Sequence, residues 1–512
     1  MQNSNSNNVN PSSSSSSCKL SYSILDPNPS LIDDDGNLIN DISKAADITT
    51  YRNGTIADGV SKLILVVDSN NELQFSINGT KPNDLTSGTL SYLNQLNVDN
   101  VRSSVKVSPE GIGNVRSVVI AVYTSPDSFN QDKGSNRTIN VNVSDPNNPD
   151  ATALYELPIK LYRPPVVLVH GLWMNSNNTW VATTNPNNTS FTKTLDDYGF
   201  TYTFADYEKY NSETFDPCAN KTFGNYGINA TRRAIYDILE EYHKFSIAAS
   251  QVDIIAHSMG GLMARGFVQQ PDYKRKENYM KGSIHRLITI GTPHFGGPLA
   301  KFLHEHRDHW YCFDCIKVTP ALTCNIKVTP ALNCKVEPKK LRTIYADNFN
   351  SCIDKGDIEA LVAMSNAYSR LYQTNVKSYA IAGTWKPNAN DSHEDQELYY
   401  KPIADIDDFK LDGKDGFNDD NDLVVSVKSQ LGGLPCQIRQ LNSNNDIPNH
   451  SALYCNTLHT DFYIKGNDTH NNVFSETNSP YIQNDVIKLL SSSDKNKFAD
   501  AIGIGSPCPP SK

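Results

Sequence analysis

The stretch VDIIAHSMGGLMAR, residues 252–265, places a serine where an apolar run ends and a helical pattern begins. A serine hydroxyl is a weak nucleophile at neutral pH, and it needs a base that accepts its proton and donors that stabilise the resulting oxyanion. A sharp strand-to-helix turn can hold such a serine exposed, provided that the residues two before and two after it are small. Ala256 and Gly260 meet this requirement around Ser258. The pattern therefore predicts a nucleophile elbow in which alanine replaces the more common first glycine.

A helix that begins directly after Ser258 would also direct free N–H groups and the positive end of its dipole toward the serine. The alternative is that this glycine-rich turn only allows tight packing, as in a nucleotide-binding loop. The pattern of a phosphate-binding loop is absent here. We therefore interpret the turn as catalytic.

The surrounding residues predict a parallel sheet covered by helices. VVLVHG (166–171) is a continuous apolar run, which is typical of a strand buried on both faces. Apolar residues recur at helical spacing in residues 228–245, and strands are predicted at 286–291 and 376–383. A helix at 483–492 would close the domain. Strands that alternate with helices indicate an α/β fold.

A different pattern occupies the first 155 residues. Residues 1–17 are an Asn/Ser tract that buries too little apolar surface to fold. After it come short runs of alternating or β-branched residues, such as TINVNVS (138–144), separated by turn signals. They predict a small antiparallel β-sandwich. The segment 57–67 resembles the opening of bacterial Ig-like domains.

Three motifs carry a resemblance to a known family. VVLVHGLW (166–173), AHSMGGLMAR (256–265) and GTPHFGGP (291–298), in this order, resemble the α/β-hydrolase superfamily in its lipase and esterase branch. The resemblance covers about residues 163–492. It implies a mostly parallel sheet flanked by helices, with an inserted lid, preceded here by the small all-β sandwich.

These patterns together predict the domain organisation. The predicted parts are a tail at 1–17, the sandwich at 18–155, the α/β-hydrolase domain at 160–495 with its lid at about 297–372, and a tail at 496–512. The lid contains a tandem duplication, IKVTPALTC followed by IKVTPALNC. Because only two copies occur, we interpret it as an expanded loop and not as a solenoid.

The resemblance implies that backbone N–H groups form the oxyanion hole. One belongs to the residue after the nucleophile, and the other to the loop after the first core strand. The matching positions are Met259 and Leu172. His170 and His294, which lie within the motifs, are expected to shape the site and not to carry protons.

In this family the triad runs serine, acid, histidine along the chain. Lipases of the family place the acid just ahead of an apolar xVPxxS segment, and residues 421–426 match this pattern with Val425 in place of proline. Asp422 is therefore the predicted acid. The fallbacks are Asp420 and Asp419, whereas Asp412 and Asp415 lie too far ahead of the motif. The alternative is that all of these acids form one solvated loop.

The family places its catalytic histidine in a loop before the last helix. His459 follows a small apolar patch and precedes that predicted helix by about two dozen residues. His459 is therefore the predicted base, with His450 next and His470 last.

No cofactor is required by this chemistry, but the residue types suggest two candidate structural metals, zinc and calcium. Histidines and cysteines that zinc favours as ligands crowd the start of the lid: His304, His306, His309, Cys312 and Cys315. The acids at 412–422 resemble a calcium loop loosely, and Asp461 falls where several bacterial lipases place a calcium ligand.

Charge and composition disfavour some classes of binding partner. A net charge of −10 over 512 residues disfavours nucleic acid, whose phosphates would be repelled. No run of about 18 apolar residues occurs, so we expect a soluble chain that contacts lipid surfaces only transiently. The first residues lack the pattern of a secretory signal. Half of the ten cysteines lie between residues 312 and 352, which favours disulfides and a secreted or lumenal location.

The sequence thus predicts a serine hydrolase that cleaves carboxylic esters, and the resemblance implies esters of lipids. An acyltransferase, a thioesterase or a phospholipase would use the same triad and is the first alternative. The second is a non-catalytic binding or adhesion protein that uses the β-sandwich.

Overall fold

A computed structural model shows how the chain folds. It describes residues 22–39, 50–78, 86–93, 103–112, 116–148, 153–172, 174–181, 189–210, 226–297, 314–318, 321–325, 371, 373–384, 422, 425–439, 447–455, 457–459 and 474–503. The predicted tail at 1–17 and most of the predicted lid at 297–372 lie outside these residues.

Two β-sheets form the N-terminal part. Their strands are β1 (Tyr22–Leu25), β2 (Gly54–Ile56), β3 (Lys62–Asp68), β4 (Leu73–Ile77), β5 (Thr89–Tyr92), β6 (Ser104–Val107), β7 (Glu110–Ile112), β8 (Arg116–Thr124), β9 (Asn136–Ser144) and β10 (Tyr155–Tyr162). One sheet has the order β1-β3-β8-β5, with β7 also paired to β8, and the other contains β2-β10-β9-β4-β6. Neighbouring strands are antiparallel, apart from the parallel pair β2 and β10.

The two sheets pack against each other because their strands alternate in polarity. In β9, Ile139, Val141 and Val143 are buried, whereas the residues between them are partly exposed. These side chains share one apolar core with Leu63 and Leu65 of β3, which belongs to the other sheet. Apolar faces of two sheets that meet in this way form a sandwich.

A parallel sheet forms the centre of the remaining chain. The strands here are β11 (Val166–Val169), β12 (Tyr202–Ala205), β13 (Ile247–Ala248), β14 (Val252–His257), β15 (Ile284–Ile290), β16 (Asp314–Val318), β17 (Ala321–Asn325), β18 (Ser378–Thr384), β19 (Ser451–Cys455), β20 (Thr457–Leu458) and β21 (Phe474–Ser475). The sheet has the order β12-β11-β14-β15-β18-β19, and each neighbouring pair is parallel. β16 and β17 pair antiparallel within the predicted lid, and β20 pairs with β21 in parallel.

Helices cover both faces of the parallel sheet. They are α1 (Phe191–Tyr198), α2 (Tyr226–Lys244), α3 (Met259–Val268), α4 (Val427–Leu431) and α5 (Pro480–Ser491). Val167 and Val169 of β11 join the core beneath α2 and α3, while Val166 and Leu168 join the core beneath α1 and α5. β11 is apolar and buried at every position, as expected for a strand that is covered on both faces. Among the described helices, none is both long and apolar enough to cross a bilayer.

The sandwich and the α/β part are joined by backbone pairing and by buried arginines. β13 pairs with β2 and so extends a sandwich sheet. The Arg163 guanidinium lies 4.4 Å from each of the Phe129 and Phe200 rings. It donates hydrogen bonds to the carbonyl oxygens of Gly134 and Gln131, at 2.8 and 2.7 Å. A buried cation needs such acceptors, and here the sandwich provides them.

A buried histidine bridges the same interface. His285 on β15 lies 2.9 Å from Asp253 Oδ1 through Nδ1 and 3.3 Å from Asp127 Oδ1 of the sandwich through Nε2. Burial alone would lower the pKa of His285, but the two carboxylates outweigh burial and raise it to about 9. His285 is therefore protonated in the folded protein at neutral pH.

The start of the segment predicted as a C-terminal tail, 496–512, packs against the α/β part. Phe498 and Ile502 are buried, and the Ala499 and Ile502 amides donate to the carbonyls of Ser378 and Thr374. The Phe498 ring also packs on Tyr379 of β18, with the ring centres 6.3 Å apart, so this segment is held against the strand. Residues 504–512 lie outside the described part of the chain.

The bridge at His285 predicts a pH-dependent stability. A histidine whose pKa rises on folding stabilises the fold fully below about 6.5, and this contribution is lost as the pH rises to about 9. We expect the free energy of unfolding to fall by up to about 3 kcal/mol over that range. The measurement is urea unfolding between pH 6 and 9.5, followed by circular dichroism. In His285→Gln this pH dependence should be weaker, and equal dependence in both proteins would contradict the bridge.

Candidate active site

Ser258 lies at a strained bend between β14 and α3. Its backbone has φ 52° and ψ −130°, a conformation that L-residues rarely adopt and that costs about 1–3 kcal/mol. A Cβ on Gly260 would lie 2.4 Å from the Val169 carbonyl oxygen, so only glycine allows α3 to pass this close to β11. Ala256 is fully buried. The small residues on both sides of Ser258 thus meet the steric demand that the sequence pattern predicts.

Three side chains from distant parts of the chain meet at this bend. The Ser258 Oγ lies 2.8 Å from His459 Nε2, and His459 Nδ1 lies 2.6 Å from Asp422 Oδ2. All three residues are buried. An imidazole in this position can remove the hydroxyl proton, while the carboxylate holds the ring in the required tautomer.

The parallel sheet explains why these residues meet. Ser258 directly follows β14, Asp422 comes after β18, and His459 follows β19 and β20. In a parallel sheet, segments that follow the strands emerge at the same edge. Asp422 is held there by the Val425 amide, which donates to its Oδ1 at 2.7 Å, and by its own carbonyl, which accepts from the His459 amide at 3.2 Å.

Burial and neighbouring charges shift the pKa values of Asp422 and His459. Burial raises the pKa of Asp422 to about 6, although the neighbouring imidazole opposes this effect. Burial alone would lower the pKa of His459, but the charge of Asp422 outweighs burial and raises it to about 10, with help from Glu476. The positive form of His459 is therefore favoured in this environment.

The loop after β11 passes directly over the serine. A Cβ on Gly171 would lie 2.7 Å from the Ser258 Cβ and 3.2 Å from its Oγ, so glycine is required. Leu172 follows in this loop, and Met259 is the first residue of α3, where backbone N–H groups have no partner within the helix. Both predicted oxyanion-hole residues therefore belong to segments that border Ser258.

The contacts of His170 and His294 indicate structural roles for both side chains. The His170 ring stacks on Tyr207, with the ring centres 4.0 Å apart, and its Nε2 accepts the Tyr207 amide proton. His294 accepts a hydrogen bond from buried Arg265 at Nδ1 and lies 3.1 Å from Thr289 Oγ1 through Nε2. Burial, followed by the charge of Arg265, holds the pKa of His294 well below its usual value.

The alternative base His450 lies at the wrong end of its strand. It directly precedes β19, whereas Ser258 follows β14, and the two parallel strands therefore place them at opposite edges of the sheet. The last alternative base, His470, and the fallback acids Asp419 and Asp420 lie outside the described residues, as do Asp412 and Asp415. Of the predicted metal ligands, His304, His306, His309, Cys312 and Asp461 also lie outside the described residues. The side chains of the cysteines at 312–352 are not described.

A second buried pair adjoins the three residues and was not predicted from the sequence. Glu476, which follows β21, has Oε2 3.4 Å from His459 Nδ1 and 3.3 Å from Nε2 of His257. Potential metal-ligating atoms of these three residues lie within 4.8 Å of one another. The His459 nitrogens, however, already contact Ser258 and Asp422, so we interpret the group as a charge cluster. Gly291 leaves room for this carboxylate, because a Cβ there would lie 1.9 Å from Glu476 Oε2.

The contact above Ser258 predicts the effect of Gly171→Ala. The added methyl group would push the loop or the serine aside by roughly an ångström, which lowers the rate of Ser258 acylation by about 100-fold. A fluorophosphonate probe measures this rate. Ser144→Ala, at a partly exposed position at the end of β9, is the control and should acylate at the wild-type rate. Equal rates for the two variants would contradict the proposed crowding.

Comparisons with known proteins find one family model and only distant solved structures. Residues 229–471 match a family model described as a domain of unknown function, DUF7379. No curated protein matches the chain. Similar solved structures include the Staphylococcus hyicus lipase (12% identity, 64% of this chain, 94% of that chain, TM-score 0.33). Others are a mature Bacillus licheniformis lipase (14%, 60%, 89%, 0.29) and a Legionella pneumophila phospholipase (12%, 65%, 60%, 0.34).

Proposed function

We propose that this protein is a serine hydrolase that cleaves carboxylic esters, with Ser258 as nucleophile, His459 as base and Asp422 as acid. The observation that supports this most directly is the chain of contacts from Ser258 Oγ to His459 Nε2, 2.8 Å, and from His459 Nδ1 to Asp422 Oδ2, 2.6 Å. Lipid esters are the substrate class that the resemblance of the sequence motifs implies.

In the first half of the reaction, the Ser258 Oγ attacks the ester carbonyl carbon while His459 Nε2 accepts the hydroxyl proton. Asp422 accepts the Nδ1–H and stabilises the imidazolium that forms. The backbone N–H groups of Leu172 and Met259 stabilise the oxyanion. The C–O bond to the alcohol then breaks, and His459 returns its proton to the leaving oxygen.

In the second half, water attacks the acyl-serine with His459 again as base. The tetrahedral intermediate collapses, Ser258 regains its proton, and the carboxylic acid leaves. No cofactor takes part in these steps. An alcohol or an amine in place of water would make the same site an acyltransferase.

Two features of the fold favour this chemistry over a purely structural role. The bend holds Ser258 in an unfavourable backbone conformation, and strain of this kind concentrates at functional sites. The first turn of α3 provides the positive end of a helix dipole beside the position of the oxyanion. A non-catalytic scaffold would need neither feature.

The nucleophile is tested with a fluorophosphonate probe and p-nitrophenyl esters of short and long acyl chains. We expect wild type to be labelled and to hydrolyse esters, and Ser258→Ala to lose labelling and at least about 10⁴-fold in kcat. Ser144→Ala in the sandwich is the control and should behave like wild type. An unlabelled wild type, or a labelled Ser258→Ala, rules the proposal out. Release of acid in water, or of a new ester in added alcohol, separates hydrolysis from acyl transfer.

The pKa of His459 predicts the pH dependence of activity. The base must be neutral to accept the serine proton, and the carboxylates beside it raise its pKa. We therefore expect kcat/KM to increase with pH and to reach half of its maximum above pH 6.5, the usual value for histidine. Rates of a soluble short-chain ester between pH 5 and 10 test this. A midpoint below 6.5 would mean that burial dominates over the carboxylates.

A further inference from the structure

Glu476 places a second carboxylate beside the base. The residue lies in the turn after β21 that precedes α5, and its side chain is fully buried. Its Oε1 accepts the Gly383 amide at 3.1 Å, which fixes the carboxylate against the end of β18. Gly291, at φ 60°, leaves the space that Oε2 occupies. The backbone around the site is thus shaped to admit this side chain.

The other oxygen, Oε2, is buried and accepts no hydrogen bond from the described residues. A buried carboxylate oxygen without a donor is strongly unfavourable, so its presence calls for a compensating interaction or a role. Oε2 faces the nitrogens of two histidines: His459 Nδ1 at 3.4 Å and His257 Nε2 at 3.3 Å. A positive imidazolium at either position would compensate for it.

The charged and titratable groups that face Glu476 come from three parts of the chain. They are His257 at the end of β14, His459 after β20, and Asp422 ahead of α4. His257 is fully buried, its Nε2 lies 3.0 Å from the His459 carbonyl oxygen, and its Nδ1 has no partner among the described residues. Burial, the largest effect, lowers the pKa of His257, which keeps that ring neutral. His459 is therefore the ring that becomes positive.

We propose that Glu476 is a positioning residue of the catalytic centre, a second carboxylate that stabilises the imidazolium of His459 and holds the Nδ1 side of its ring. The inference rests on the proposed function. Asp422 accepts the hydrogen bond from His459 Nδ1–H, whereas Oε2 of Glu476 lies close to the same nitrogen without an aligned hydrogen bond. Glu476 therefore acts through His459 by its charge and does not touch the substrate.

This role predicts a specific effect on the pH profile. Glu476→Gln keeps the shape of the side chain and removes the charge, so His459 loses its proton more easily. We expect the midpoint of the kcat/KM profile to move to lower pH by about one pH unit. Glu476→Asp keeps the charge and should restore most of the wild-type midpoint. A merely structural role would lower activity or stability and leave the midpoint unchanged.

Asp253→Asn is the matched control. Asp253 is also a buried carboxylate that contacts a histidine, but it lies at the other end of β14, beside His285. Its removal should weaken the fold and leave the pH midpoint of activity in place. An equal shift in Asp253→Asn and Glu476→Gln would show a general effect of lost charge and overturn the inference.

A second comparison tests the orientation of the ring. In Asp422→Ala, Glu476 is the carboxylate that remains beside Nδ1. The double variant Asp422→Ala with Glu476→Gln should therefore be at least about tenfold less active than Asp422→Ala alone. Equal activity of the single and double variants would show that Glu476 does not support His459.

Pseudo-first-order rates of fluorophosphonate labelling give the pH midpoint of each variant even when only a small fraction of the protein is folded. Wild-type labelling with an unmoved midpoint refutes this inference alone, whereas an unlabelled wild type refutes the proposed function.

Discussion

The contact between Ser258 Oγ and His459 Nε2 is the interaction on which the functional interpretation depends. It joins residues 201 positions apart, at 2.8 Å. It requires that β14 end at the edge of the sheet where the chain after β19 also emerges, which a parallel sheet ensures. It also requires the bend at Ser258, because a serine with helical or extended backbone would direct its hydroxyl elsewhere. Small residues around the bend make that conformation sterically possible.

The site combines deep burial with an excess of carboxylates. Asp422 and Glu476 both face the Nδ1 side of His459, and neither is exposed to solvent. In such a place water cannot screen the charges, so each one changes the protonation of its neighbours more than it would at the surface. The lowered pKa of Glu476, which contact with His257 and His459 brings about against the effect of burial, is consistent with this arrangement. An imidazolium is the group that this surrounding favours.

The sandwich and the α/β part share more than a linker. The pairing of β13 with β2 makes one backbone ladder cross between them. Buried cations add specific contacts: Arg163 lies between two aromatic rings, and Arg286 donates to the Asp127 carbonyl at 2.9 Å and to carbonyls at the end of α5. Because buried guanidinium groups need several acceptors, these contacts define one relative arrangement of the two parts.

The sequence by itself determined the features that depend on near neighbours. The elbow around Ser258, the alternation in β9, the apolar run of β11 and the helical spacing of α2 are all periodic or steric patterns within a few residues. The resemblance added Asp422 and His459, and the structure brings both to Ser258. Local patterns did not reveal that Phe498 and Ile502 anchor the segment predicted to be a tail, since this segment is held by residues more than 100 positions earlier in the chain.

Only the tertiary structure decided which histidine meets the serine and which further carboxylate joins it. His450 and His459 are close in sequence, but β19 separates them and carries them to opposite edges of the sheet. Glu476 has no sequence signal of its own, since its role arises from contacts with residues that precede it by between 17 and about 220 positions. The spacing of residues along the chain determines where turns form and which face of a helix or strand is apolar. The convergence of distant side chains follows instead from the order and direction of strands in the sheet.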